Sequence, residues 1–341
     1  MSVGTATRSS APGPASAPRR QRVLAAPVTG QELVLLGVIA VLWTLLALAT
    51  PAFLSAGSLQ PLLGAVAPIA LIGIGMTVVI ITGGIDVSVG AAIAVCSVIT
   101  AKLVLVQAGL GLATALLVSV LVGAVLGLLN GALIAYGRVH AIIITFGTAN
   151  IFLWISLKLF SSSTVNNIPD TLASLGNGAA GRTLGVPNSF VITVVLAAIA
   201  WVYLRHTAGG RHFYAVGGDP LAAQLAGVKV RRRVLLAYLL TGLLVGLASC
   251  IVVAQGSNLG QNVGNGKELA VIAAVVIGGT SITGGRGSVL GTVLGALLVQ
   301  TVASGVTQLG WRSELSDLFV GAAIIVAVGA DLLRQRARRQ R

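Results

Sequence analysis

Apolar residues in this chain come in long runs, at about 33–50, 62–82, 87–106, 110–136, 141–160, 189–204, 234–256, 269–283, 288–309 and 316–333. Gly, Pro or charged residues bound each run. A run that is apolar on every side for close to 20 residues has no polar face to turn to water. It matches the length a helix needs to cross a hydrocarbon core about 30 Å thick. The pattern predicts an all-α polytopic membrane protein of about ten transmembrane helices, with a polar stretch at 161–188 between its halves.

Composition sharpens this picture. Hydrophobic residues make up 56% of the 341 and charged residues 9%, far below the roughly 25% of a soluble domain. The net charge of +14 would suggest nucleic acid in a soluble chain. Here the basic residues sit at span ends and in the tails, without aromatic interleaving, so they read as topology signals and no nucleic-acid partner is expected. With the N-terminus inside, the cytoplasmic side receives four Lys and Arg in the N-tail, Arg138, six between Arg205 and Arg233, Arg286 and five in the C-tail. That is 17 of the 22, and only Lys102, Lys158, Arg182, Lys267 and Arg312 fall outside. The split predicts an even number of spans with both termini cytoplasmic.

The chain divides accordingly. Residues 1–30, rich in Ala, Pro and Ser, read as a disordered cytoplasmic tail; 31–333 form the transmembrane domain; 334–341 are a basic cytoplasmic tail. Arg19-Arg20 ahead of an apolar stretch imitates a secretory signal, but nine further spans follow, so the first span reads as a retained anchor. Cys96 and Cys250 lie inside apolar runs, and His140, His206 and His212 lack ligand spacing, so no metal site is expected. Gly266-Lys267 is followed by Glu268 where a phosphate-binding loop needs Ser or Thr, so the chain is expected to bind no nucleotide and to hold no catalytic residue.

The longest cytoplasmic loop, 205–233, reads RHTAGGRHFYAVGGDPLAAQLAGVKVRRR. Asp219 is a good N-cap, Pro220 suits the first helical position, and Gly227 is a natural stop, so a short helix is predicted between them. Its small residues Ala222, Ala223 and Ala226 would let it sit deep in a partner's groove and face water without one. The bland alternative is an interfacial loop whose arginines only fix topology. Gly pairs recur in MTVVIITGGIDVSVG (76–90) and AAVVIGGTSITGGRG (273–287), which suggests an internal repeat or merely two similar hairpins.

Polar residues inside the spans are few. Asp86 is a candidate functional carboxylate, although it can cap the third span and satisfy backbone N–H groups there. Glu268, opening the eighth span, poses the same choice. Asn130, Thr145, Thr148 and Asn150 are candidates to line a pathway for a hydroxylated solute, or to bond helices together.

Gly210-Arg211 with Tyr214, Gly217-Gly218, Ala222-Ala223 and Gly227 resembles the coupling segment of ribose-type permeases of ATP-binding-cassette (ABC) importers. TGGIDVSVG (82–90), GLLNGALIA (127–135) and ELAVIAAVVIGGTSITGGRGSVLGTVLGALL (268–298) are similar to the same family, in the same order. The resemblance implies a permease in a bacterial inner membrane that moves a monosaccharide or the furanose-like autoinducer-2 signal into the cytoplasm. It implies a cytoplasmic ATPase that binds the ATP, a periplasmic or extracellular solute-binding protein and a second permease copy or paralogue. An ion-coupled secondary transporter is the alternative, disfavoured by the scarcity of intramembrane charge.

Overall fold

The computed structural model describes residues 30–339 apart from 177, with side chains placed as far as 329. The expected N-terminal tail lies outside the described residues, except Gly30, which already belongs to the first helix. The helices are α1 (Gly30–Ala49), α2 (Ala56–Ile81), α3 (Val89–Val98), α4 (Leu112–Gly137), α5 (Ala141–Phe160), α6 (Asn188–His206), α7 (Ala208–Gly218), α8 (Pro220–Leu225), α9 (Val230–Ala254), α10 (Lys267–Ile277), α11 (Val289–Gln308) and α12 (Glu314–Arg339). α3 runs on as a π-helix over Ile99–Gln107. Among the described residues the strands are β1 (Arg182–Thr183) and β2 (Val186–Pro187), a short hairpin inside the polar stretch.

Eight of these elements are long and apolar enough to cross a membrane among the described residues. They fall on eight of the ten expected spans. α12 covers a ninth and continues into the basic tail. The remaining span, expected over 269–283, is different: α10 has 11 residues and ends at Ile277. Hydropathy reads straight through its end because Ile282 and the glycines that follow are not polar. The backbone stops there because Gly279, Gly284 and Gly285 take left-handed conformations, with φ of 94°, 87° and 72°, which glycine adopts without a steric penalty.

The same terminator ends α2. Gly83 donates to the Ile80 carbonyl at 2.9 Å and Gly84 to that of Val79 at 3.1 Å, while Gly279 donates to Val276 at 2.9 Å and Thr280 to Val275 at 3.2 Å. Both ends are Schellman caps, with Gly83 at φ 84° as the left-handed residue of the first. The two Gly-rich stretches therefore share local geometry as well as composition.

α2 is the axis of the bundle. The best 18-residue window of α2 is 94% buried, against 22% for those of α4, α5 and α6. Lipid tails are as apolar as leucine, so this burial stabilises through close packing rather than exclusion of water. The α4 and α9 backbones meet directly. A Cβ on Gly123 would overlap the Gly242 carbonyl, one on Gly127 the Tyr238 carbonyl and one on Gly246 the Ser119 carbonyl. Glycines four residues apart let the two backbones touch, and Ser119 Oγ donates across the gap to Gly246 O at 2.7 Å. α2 and α11 are joined by the buried Thr77 and Thr292 hydroxyls, 2.6 Å apart.

Candidate functional site

At the end of the bundle where α2 stops, α7 and α8 form a pair of short helices. The sequence predicted α8, and Asp219 caps it as expected: Oδ1 accepts from Leu221 N at 2.9 Å and Ala222 N at 3.0 Å. Pro220 takes the first helical position and Gly227 turns the chain out with φ 83°. α7 was not expected, since 205–233 reads as a loop with one short helix, and Gly209, Gly210, Gly217 and Gly218 are poor helix formers. Packing overrides propensity. Thr207 Oγ1 caps the helix by accepting from Gly210 N at 2.9 Å, and a Cβ on Gly210 would overlap the Tyr203 carbonyl.

α7 is seated on the core by three contacts. Phe213 and Val216 are buried. Tyr214 Oη donates to Gly287 O at 3.1 Å, and partial burial pushes its hydroxyl above the usual phenol range. Gly217 lies so close to Ile81 that a Cβ there would overlap the Ile81 carbonyl, to which Gly285 N donates at 2.9 Å. Arg211 is exposed and reaches the His206 carbonyl at 3.5 Å. The arginine run divides: Arg231 and Arg232 are exposed, while Arg233 turns back onto α7, 2.9 Å from His212 Nδ1 and 5.6 Å over the Phe213 ring.

The three alanines of α8 differ. Ala222 and Ala226 are exposed, but Ala223 is 5% exposed and packs with Val216 and Val228. The expectation that Ala223 faces water is corrected: it is the foot of α8, one residue round the helix from the outer face. That outer face contains two residues the sequence reading missed, Leu221 and Leu225, 67% and 82% exposed. Their signal was leucine at i and i+4 in an otherwise alanine-rich helix, the spacing of one helical face.

Above this pair, residues 82–88 run through the interior without helical structure. Asp86 is buried, and its Oδ1 accepts from Ser88 N at 2.9 Å and Ser88 Oγ at 2.6 Å. The cap expected on α3 is therefore displaced: Ser88 holds the N-cap position, and Asp86 closes the turn just before it. Asn130 Nδ2 donates to Ser88 Oγ at 2.7 Å, and Thr145 Oγ1 accepts from Val87 N and donates to Ile85 O, both at 3.2 Å. Two of the four pathway candidates thus converge on one segment from α4 and α5. Thr148 is buried one turn along α5 and bonds to the Thr145 carbonyl at 3.2 Å. Asn150 is exposed and bonds only to its own helix, at Phe146 O.

Among the described residues, no group of three or more His, Cys, Asp or Glu could hold a metal ion.

Comparison with known proteins agrees with this architecture. Residues 58–328 match the family model described as branched-chain amino acid transport system / permease component. The chain is 35% identical over 302 residues to the ribose import permease protein RbsC of Escherichia coli, covering 88% of this chain and 92% of the relative. It is 35% identical over 288 residues to the fructose import permease protein FrcC of Rhizobium meliloti, covering 82% and 79%. It is 38% identical over 308 residues to the probable ABC transporter permease protein YphD of Escherichia coli, covering 89% and 90%. No solved structure matches it.

Proposed function

The chain belongs to this permease family, and we propose that it is the membrane-spanning subunit of an ABC importer for a monosaccharide, with ribose the first candidate. Relatives named for ribose and fructose import support a sugar as cargo, and they set the ion-coupled alternative aside. The subunit transports and does not catalyse; ATP is used by a separate ATPase. A solute-binding protein delivers the cargo, and a second permease copy or paralogue completes the pathway.

The observation that supports the coupling role most directly is the outer face of α8. Leu221, Ala222 and Leu225 are exposed on a six-residue helix that adjoins α7, whose Gly217 rests on the end of the most buried helix of the bundle. A partner that grips α8 moves α7, and α7 moves α2. This is a direct mechanical route from nucleotide-driven closure to rocking of the spans. The 17 to 5 charge split supports an orientation with this face and both termini on the cytoplasmic side of a bacterial inner membrane. Asn130, Thr145 and Asp86 serve chiefly to hold 82–88 in place.

The test is to copurify the cognate solute-binding protein and screen its ligands by thermal shift, since a bound ligand stabilises by RT ln(1 + [L]/Kd). Ribose or another monosaccharide should raise its melting temperature. Stabilisation by an amino acid and by no sugar would reject the sugar assignment.

A further inference from the structure

At the opposite end of the bundle, the chain between α9 and α10 turns back into the protein. Leu259 pairs with Val165 near that end, both buried, with N–H to carbonyl distances of 2.8 and 3.0 Å. Residues 260–266 then descend until Gly264 lies against Gly90, backbone on backbone, and the Glu268 carboxylate abuts Gly90 as well.

Two rulers give the depth of that contact. Ser249 Oγ reaches Ile93 O at 3.4 Å, and Ser249 is five residues before the end of α9 at Ala254. At 1.5 Å per residue Ile93 lies about 7 Å below that end, and Gly90, three residues earlier on the parallel α3, about 12 Å below. From the other face, Val275 touches Gly73, eight residues or about 12 Å from the Ile81 end of α2, and Glu268 lies about 10 Å further out along α10. With the Ala254 end of α9 and the Ile81 end of α2 taken as the two faces of a hydrocarbon core about 30 Å thick, both place Glu268 in its outer half.

The groups held there are polar and open. Asn262 and Asn265 are exposed and Glu268 partly so. Among the described residues Glu268 has no hydrogen-bond or ion-pair partner, and the two asparagines have only each other, at 3.5 Å. Irregular backbone and an unpartnered carboxylate do not face lipid; at this depth they line either water or protein.

We infer that residues 260–268 line an aqueous vestibule in the outer half of the permease. There the Glu268 carboxylate accepts hydrogen bonds from hydroxyls of the incoming sugar while the Asn262 and Asn265 carboxamides bond to its ring substituents. This rests on the sugar-permease reading for the identity of the ligand, but not for the vestibule. A carboxylate with two carboxamides suits a neutral, polyhydroxylated solute, because each offers acceptors or donors to adjacent hydroxyls.

The test has two arms. In right-side-out vesicles, Asn265→Cys in the full complex should react with a membrane-impermeant, charged methanethiosulfonate reagent, while the unsubstituted chain, whose Cys96 and Cys250 are buried, should not. In proteoliposomes containing permease, ATPase and binding protein, Glu268→Gln should lower uptake of radiolabelled ribose or fructose at least tenfold at normal membrane levels of permease, with Glu268→Asp intermediate. Absence of labelling at Asn265→Cys would show a protein contact in place of the vestibule. Wild-type uptake by Glu268→Gln, or a loss that only tracks reduced permease levels, would overturn the ligand role. If the unsubstituted complex imports neither sugar, the sugar reading fails, and the labelling arm still decides the vestibule.

Discussion

Gly217 of α7 rests directly on Ile81, the last residue of α2, with no room for a Cβ between them. The neighbouring Gly218 is different: a Cβ there would meet nothing within 4 Å. Gly217→Val should force α7 off α2, an overpacking that typically costs about 1–3 kcal/mol. We expect the ATPase to copurify still, because α8 is untouched, while sugar uptake falls at least tenfold. Gly218→Ala should behave as wild type. Full uptake by Gly217→Val would show that this junction transmits nothing.

Ala222 and Ala223 are neighbours in sequence but not in role. Ala222→Arg places a hydrated charge on the outer face of α8, so the permease should insert normally, lose its ATPase on purification and lose uptake. Ala223→Arg drives the same group into the contact with Val216 and Val228, where burying it without a partner costs several kcal/mol. Limited proteolysis should cut this variant within 205–233 faster than wild type. Equal ATPase recovery by Ala222→Arg and wild type would reduce the loop to a topological anchor.

The two helices show what was legible in the sequence. Asp219, Pro220 and Gly227 are local signals, so α8 could be read from its own residues. α7 could not, since its glycines answer to Tyr203, Ile81 and Gly285, which are distant in the chain or belong to other elements. Span existence was readable because about 20 apolar residues leave one solution in lipid. The early end of α10 was not, because hydropathy does not register backbone conformation at Gly279. Asn130 and Thr145 looked no different in sequence from Asn150. Only the rotational setting of each helix decides which of them meets 85–88.

Asp86 should be a structural residue. Asp86→Asn keeps an oxygen to accept from Ser88 N and Oγ and should retain most uptake. Asp86→Leu removes the acceptor for both, a loss of roughly 1–3 kcal/mol, and should lower the amount of permease extracted in folded form. Abolished uptake by Asp86→Asn at normal permease levels would give the carboxylate a direct transport role instead.

Topology is open to a simple check. Reporter fusions at residue 175, in the stretch beside β1 and β2, and at residue 225, at the end of α8, should report opposite sides of the membrane, with 225 inside. The same side for both would invalidate the orientation drawn from the basic residues.

The most direct measurement is uptake of radiolabelled ribose and fructose into proteoliposomes holding the permease, its ATPase and its binding protein, with proton and sodium gradients collapsed by ionophores. The proposed function predicts uptake of at least one sugar that requires ATP on the α8 side, survives the ionophores and disappears with Ala222→Arg. Uptake that proceeds without ATP and stops when an ion gradient is collapsed would contradict it.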